Sequence, residues 1–329
     1  MNRGEGVTPT VWPVSEQAVA QARRFNKTLA WLPRFKIRNR VTPRVIQALL
    51  RAGQLGGGRK LRKQGLLAER EVIGTGDAAV PVRILRPRGE ARGVVLDFHG
   101  GGWVIGNAQM NDDLNAAIVS ACNVAVVSVD YRLAVSAPLE DVMQDCLRAA
   151  RWLLGGACAG FAGLPVIVVG ESAGAHLAAA TLLALKPSPA LLERVSGALL
   201  YYGVYDLTGT ASVRAAPSNT LVLDGPGMLD AFRALTPGLD DSQRRQPPLS
   251  PLYGDFSGLP PALLFAGELD PLRDDTLQIA GRWMQSAAVD VHLVPCSAHG
   301  FIHFPTAIAK GVLTYSHQWI NARLEAPGG

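Results

Sequence analysis

The sequence predicts an α/β fold: a mostly parallel, eight-stranded sheet with helices on both faces and a helical cap. Three observations carry that expectation. From Glu69 onward short apolar runs alternate with helical segments, the rhythm of parallel strands joined by crossover helices. The first 68 residues show helical runs and no strand pattern. Residues 207–253 are too long, and too rich in Pro, Gly and Asp, for an ordinary crossover.

Taken in order, Glu16 to Leu32 and Arg44 to Ala52 read as helices interrupted by Pro33, Pro43 and Gly56 to Gly58. This predicts an N-terminal helical cap segment over 1–68, ahead of an α/β domain over 69–329. Arg70 to Ile73 and Val80 to Leu85 flank a Gly/Asp-rich turn, as two antiparallel strands would. Six further strands fall at Gly93 to Phe98, Val124 to Val129, Pro165 to Val169, Gly197 to Tyr202, Ala262 to Ala266 and Val289 to Pro295. Helices near Leu139 to Leu154, Ala173 to Leu185, Asp274 to Ala287 and Thr306 to Arg323 have enough apolar positions to cover a sheet face. The interval 207–253, with a helical piece at Met228 to Leu235, is an insertion expected beside the ligand crevice at the carboxyl edge of the strands.

With 48% hydrophobic and 18% charged residues among 329, the chain has ample material for a core. Its net charge is +5, but cations occur along most of the sequence and aromatics make up 6%, so no nucleic-acid partner is expected. The dense basic stretch Arg51 to Lys63 reads as a solvated loop or helix face. Cys122, Cys146, Cys158 and Cys296 show neither a disulfide framework nor metal-ligand spacing, which fits reduced thiols in a cytoplasm. No apolar run follows Met1 to Gly6 and none reaches membrane-spanning length, so neither a cleaved signal nor a membrane span is expected.

The chemistry centres on Gly170-Glu171-Ser172-Ala173-Gly174. A serine hydroxyl attacks a carbonyl only when a base takes its proton and the backbone leaves it exposed. The apolar run Val166 to Val169 before the pentapeptide and the small-residue helix after it supply a sharp strand-to-helix elbow. Gly is abundant here, so the pentapeptide alone is weak; its context raises it. Upstream, His99-Gly100-Gly101-Gly102-Trp103 follows directly from an apolar strand. A glycine-rich loop there lets backbone amides approach a developing oxyanion. The expected donors are the amides of Gly101, Gly102 and Ala173, while His99 shapes the loop. No phosphate-loop or dinucleotide pattern accompanies the glycines.

A serine elbow of this kind takes its acid, then its histidine, from later in the chain. Gly267 to Asp275 offers four carboxylates after a strand. Asp270 is the choice, because Asp274 and Asp275 fit the start of the next helix. His299, in a loop beside Gly300, is the expected base; His303 is the runner-up, His292 lies within a strand, His317 on the final helix, and His176 points along the elbow helix. This chemistry needs no metal or organic cofactor. Trp103, Tyr202 and Phe301 are the expected substrate-binding side chains, with Tyr201, Met228, Phe232 and Phe304 as further wall candidates.

Together, His99-Gly100-Gly101-Gly102-Trp103, Asp130-Tyr131-Arg132-Leu133, Gly170-Glu171-Ser172-Ala173-Gly174, Asp270 to Asp274 and His299-Gly300-Phe301 resemble the hormone-sensitive-lipase-like bacterial carboxylesterases of the α/β-hydrolase fold. The resemblance spans roughly residues 69–325. It implies hydrolysis of short- to medium-chain acyl esters, and a cap built from the N-terminal helices and the insertion. The departures are Glu171 for a more usual Asp, Ala175 for Gly, and Ala134 to Ala137 for a proline-rich run. Two other functions remain open: hydrolysis of amides, lactones or acetylated sugars, and noncatalytic ligand binding on the same fold, against which Ser172, Asp270 and His299 argue. The expected partner is a small-molecule ester; a homodimer is left open.

Overall fold

The computed structural model describes residues 7–36 and 41–325; the leader reading over Met1 to Gly6 lies outside them. The strands are β1 (Thr10–Val11), β2 (Leu67–Ile73), β3 (Val80–Arg86), β4 (Val94–Phe98), β5 (Ala125–Val129), β6 (Val166–Glu171), β7 (Val195–Tyr201), β8 (Ala262–Gly267) and β9 (Val289–Val294). They form one nine-stranded sheet in the order β1-β9-β8-β7-β6-β4-β5-β3-β2. β2 and β3 pair antiparallel, β3 runs antiparallel to β5, and every other pairing is parallel.

The ninth strand corrects the expectation of eight. Thr10 and Val11 register with His292 and Leu293 at the sheet edge. Two residues carry no readable alternation; what holds them is tertiary. The amide of Trp12 donates to the Leu293 carbonyl at 2.9 Å, and its indole packs edge-on against Phe265, His292 and Tyr315. His292 sits in β9 as expected, and burial lowers its imidazole pKa.

The central strands are apolar because both faces are covered: every residue of β4, β5, β6 and β8 is buried. One core holds α5 (Leu139–Leu154) and α6 (Ala173–Leu185) against the sheet, with the helix Arg273–Trp283. The other holds α1 (Glu16–Leu29), α4 (Asp112–Cys122) and the helix Ala307–Glu325. α4 lay outside the sequence reading: its buried face includes Asp112 and Asn115, polar residues that blur an apolar stripe. Asn115 bonds to Asp97 and Ser128, and Asp112 pairs with Arg83 through two contacts of 2.6 and 2.8 Å.

The N-terminal segment adds α2 (Val41–Gly53) and α3 (Gly57–Lys63). Gln47 bonds twice to the backbone of Gly106 and Gln54 to Asn107, which fixes α2 over the loop that follows β4. Parallel strands all end on the same edge. β4, β6, β8 and β9 therefore deliver the loops at His99, Ser172, Asp270 and His299 to one place. Among the described residues no helix is long and apolar enough to cross a membrane.

Candidate active site

Ser172 is the residue at which β6 turns into α6. Its backbone has φ 53° and ψ −122°, a region that costs a non-glycine residue about 1–3 kcal/mol and persists only when its surroundings impose it. They do so here by close approach. A Cβ on Gly174 would lie 1.9 Å from the Phe98 carbonyl oxygen, and one on Gly170 2.4 Å from that of Gly174. Only glycine lets the elbow press against β4, which raises the serine side chain above the sheet edge.

Two loops complete the arrangement. The Oγ of Ser172 lies 2.8 Å from Nε2 of His299. The opposite ring nitrogen, Nδ1, donates to Oδ2 of Asp270, also at 2.8 Å. The other oxygen of Asp270 accepts the Leu272 amide at 2.9 Å, so the carboxylate is fixed at both ends and buried. This geometry can remove a proton from the hydroxyl, hold one imidazole tautomer, and stabilise the cation that forms.

Facing the serine is the loop after β4, where Gly101, Gly102 and Trp103 have φ of 109°, 59° and 62°. A Cβ on Gly101 would fall 2.2 Å from the Ile105 carbonyl oxygen. His99 locks the loop from below: its Nδ1 donates to the Gly100 carbonyl at 2.7 Å, and the Tyr131 hydroxyl donates to the His99 carbonyl at 2.7 Å. Burial, foremost, lowers the His99 imidazole pKa. Among the described residues the amides of Gly101, Gly102 and Ala173 donate no hydrogen bond, and Ala173 opens α6, where helix N–H groups lack internal partners.

The remaining histidines separate by their contacts. His176 accepts from Nε1 of Trp103 at 3.3 Å and donates Nε2–H to the Leu249 carbonyl at 2.8 Å. It thus ties the glycine loop after β4, the elbow helix and the insertion together, a role that sequence spacing did not reveal. Burial brings its pKa down to about 4. His303 contacts Glu171, with Nε2 2.6 Å from Oε2, rather than Ser172. Tyr202 donates to the same carboxylate oxygen at 2.7 Å. Asp275, read from sequence as a helix-start residue, also braces the insertion: it accepts from the amides of Tyr205 and Asp206 and the hydroxyl of Thr210, and burial raises it to about 7.

Ser172, His299, Gly101 and Gly102 line a cavity of about 750 Å³. Trp103 and Tyr202 line it, as do Met228 and Phe232 of the insertion and Phe35 of the N-terminal segment. Phe301 stands elsewhere: it packs edge-on behind Tyr202, ring centres 5.5 Å apart, and is not among the cavity's lining residues. Phe35 could not be found from sequence, because its place depends on a pairing with Val222, whose carbonyl accepts the Phe35 amide at 2.6 Å. Among the described residues no cluster of His, Cys, Asp and Glu could hold a metal ion.

Residues 95–303 match the family described as the alpha/beta hydrolase fold. The chain is 34% identical over 255 residues to carboxylesterase NlhH of Mycobacterium tuberculosis, covering 74% of this chain and 77% of that one. It is 31% identical over 239 residues to an arylesterase of Saccharolobus solfataricus, covering 70% and 75%. Among solved structures, esterase LipW from Mycobacterium marinum superposes with a TM-score of 0.81 at 27% identity, covering 92% of this chain and 95% of that one. Motif order, sheet topology and these similarities agree: the chain belongs to the α/β-hydrolase fold family, in its hormone-sensitive-lipase-like branch.

Proposed function

We propose that the chain is a serine carboxylesterase that hydrolyses short- to medium-chain acyl esters through an acyl-enzyme on Ser172. The observation that carries this reading is the continuous hydrogen-bonded chain from Ser172 through His299 to Asp270, with both links at 2.8 Å, of which Ser172 and His299 line the cavity. Its relatives bearing carboxylesterase and arylesterase names support the reaction class.

In that reaction His299 accepts the Ser172 proton as Oγ attacks the ester carbonyl. The amides of Gly101, Gly102 and Ala173 bind the oxyanion. His299 then protonates the departing alcohol, Asp270 stabilises the transient imidazolium, and water repeats the sequence on the acyl-enzyme. The N-terminal segment 1–68 and the insertion at about 207–253 act as the cap, since Phe35, Met228 and Phe232 enclose the cavity from both. Trp103 and Tyr202 contact the substrate. Four free cysteines support action in a reducing cytoplasm. The test is hydrolysis of p-nitrophenyl esters from acetate to laurate by the wild type and by Ser172→Ala. Turnover should be greatest with the shorter acyl chains and absent from the variant; equal turnover by Ser172→Ala removes the proposal.

A further inference from the structure

The positive charge of this chain is concentrated at one end. Residues 1–68 carry 14 Lys and Arg against two Asp and Glu, a formal +12, whereas the whole chain is +5, so residues 69–329 are at −7. The same segment holds most of the apolar surface left open to solvent. Of nine large exposed hydrophobic side chains among the described residues, six lie within it: Val11, Trp31, Leu32, Val45, Leu49 and Leu55. Trp31 is 90% exposed, Leu55 84% and Leu49 69%.

α2 turns Pro43 inward with Ile46 packed on the core, yet it also presents apolar side chains to solvent. Its polar Gln47 is buried against Gly106, while Val45 and Leu49, one helical turn apart, face solvent with Arg44 and Arg51 beside them. Arg44, Arg51, Arg59, Arg62 and Lys63 are exposed and make no ion pair among the described residues. An outward apolar stripe flanked by unpaired cations suits the boundary of an anionic bilayer, where alkyl and indole groups enter the headgroup region and cations meet lipid phosphates. Apart from Trp31 these exposed side chains are aliphatic, and Leu32, Leu49 and Leu55 offer nothing for nucleic-acid bases to stack on, which favours lipid over nucleic acid.

Two parts of this segment adjoin the cavity. Trp31 and Leu32 precede Phe35 and Lys36, which line the cavity. α2 is bonded to Gly106, the neighbour of the lining residue Ile105. We infer that the N-terminal segment is a docking face for an anionic lipid surface, centred on Trp31, Leu49, Arg44 and Arg51, which holds the cavity mouth toward the membrane.

Cosedimentation with vesicles tests this without reference to the assignment of Ser172. The full chain is mixed with phosphatidylcholine vesicles containing phosphatidylglycerol, and with phosphatidylcholine alone. Binding is expected to the anionic vesicles only, and to weaken with added salt. R44E with R51E should lower partitioning by at least about tenfold, since each surface cation contributes roughly a fivefold factor. W31S with L49S, both at exposed positions, should lower it severalfold while leaving hydrolysis of a soluble p-nitrophenyl ester unchanged, which shows that the variant is folded. The proposal is overturned by equal binding to both vesicle types, by no binding, or by variants that bind as the wild type does. Two further results overturn it: self-association that buries Trp31, seen by gel filtration, and binding of single-stranded RNA that the arginine changes abolish and W31S with L49S does not affect.

Discussion

Glu171 receives Nε2 of His303 at 2.6 Å, and the pair lies beside Ser172, the residue that follows Glu171 in the chain. Burial alone would raise this carboxyl, but the His303 charge and hydrogen bond, with the hydrogen bond from Tyr202, bring it down to about 2. Burial alone would likewise lower the imidazole, and Glu171 instead raises it. The carboxylate packs under the glycine loop after β4, where a Cβ on Gly100 would come within 3.4 Å of its Cδ. His303 therefore neutralises a negative charge placed beneath the glycine loop after β4 and next to Ser172.

The first prediction concerns pH. A raised imidazole contributes stability that is complete below its unfolded value, about 6.5, and that is lost as pH rises through the folded value. A depressed carboxyl contributes stability present above its unfolded value, about 4.3, and lost as pH falls toward about 2. The stability gap between wild type and His303→Gln should thus be greatest at about pH 5–6 and should narrow on either side. Urea melts across the pH range measure it. A gap that widens above neutrality would contradict the charged pair.

The second concerns the elbow and its facing loop. Gly174→Ala places a methyl 1.9 Å from the Phe98 carbonyl oxygen, and Gly101→Ala places one 2.2 Å from that of Ile105. Overpacking of this kind costs about 1–3 kcal/mol or more. Gly101→Ala should also reduce kcat by a larger factor than it changes KM, because the loop amides act on the transition state. Steady-state kinetics with a thermal melt separate the two effects.

The third concerns His176. His176→Leu removes the acceptor for the Trp103 indole and the donor to Leu249, both in buried surroundings. Leaving such groups unsatisfied costs about 1–3 kcal/mol. His176→Gln, which keeps a donor and an acceptor, should recover part of that loss. Equal stability of the two variants would show that the hydrogen bonds contribute little.

The fourth concerns the buried pair beneath α4. Arg83 contacts Asp112 through two nitrogens, and the two side chains are 8% and 12% exposed. Arg83→Met strands a buried carboxylate and should destabilise the fold by about 3–5 kcal/mol. The double variant with Asp112→Leu should recover most of it. Chemical denaturation checks both.

The sequence was legible where a signal was local and repeated. The central strands stood out because consecutive β-branched and apolar residues mark strands buried on both faces, as in Val94 to Phe98 and Val166 to Val169, whereas the exposed β2 was legible from the Gly/Asp turn that joins it to β3. The elbow and the loop before Trp103 stood out because glycine is required at fixed offsets. What escaped depends on residues far apart in sequence. β1 exists through its pairing with β9. Glu171 meets a histidine 132 residues later, and Phe35 meets Val222. α4 escaped for a different reason: its inward face satisfies a buried polar cluster, so Asp112 and Asn115 sit where an apolar stripe would have announced a helix.

The central claim is a covalent acyl intermediate on Ser172, and mass spectrometry of the protein treated with a p-nitrophenyl alkylphosphonate tests it most directly. The reagent carries a tetrahedral phosphorus that reacts as the ester carbonyl would but resists deacylation. The account predicts one adduct, on a peptide containing Ser172, complete loss of ester hydrolysis in step with labelling, and no adduct on Ser172→Ala. His299→Ala should label more slowly by about three orders of magnitude or more. Labelling at any other residue, or full ester hydrolysis by the protein modified at Ser172, would contradict it.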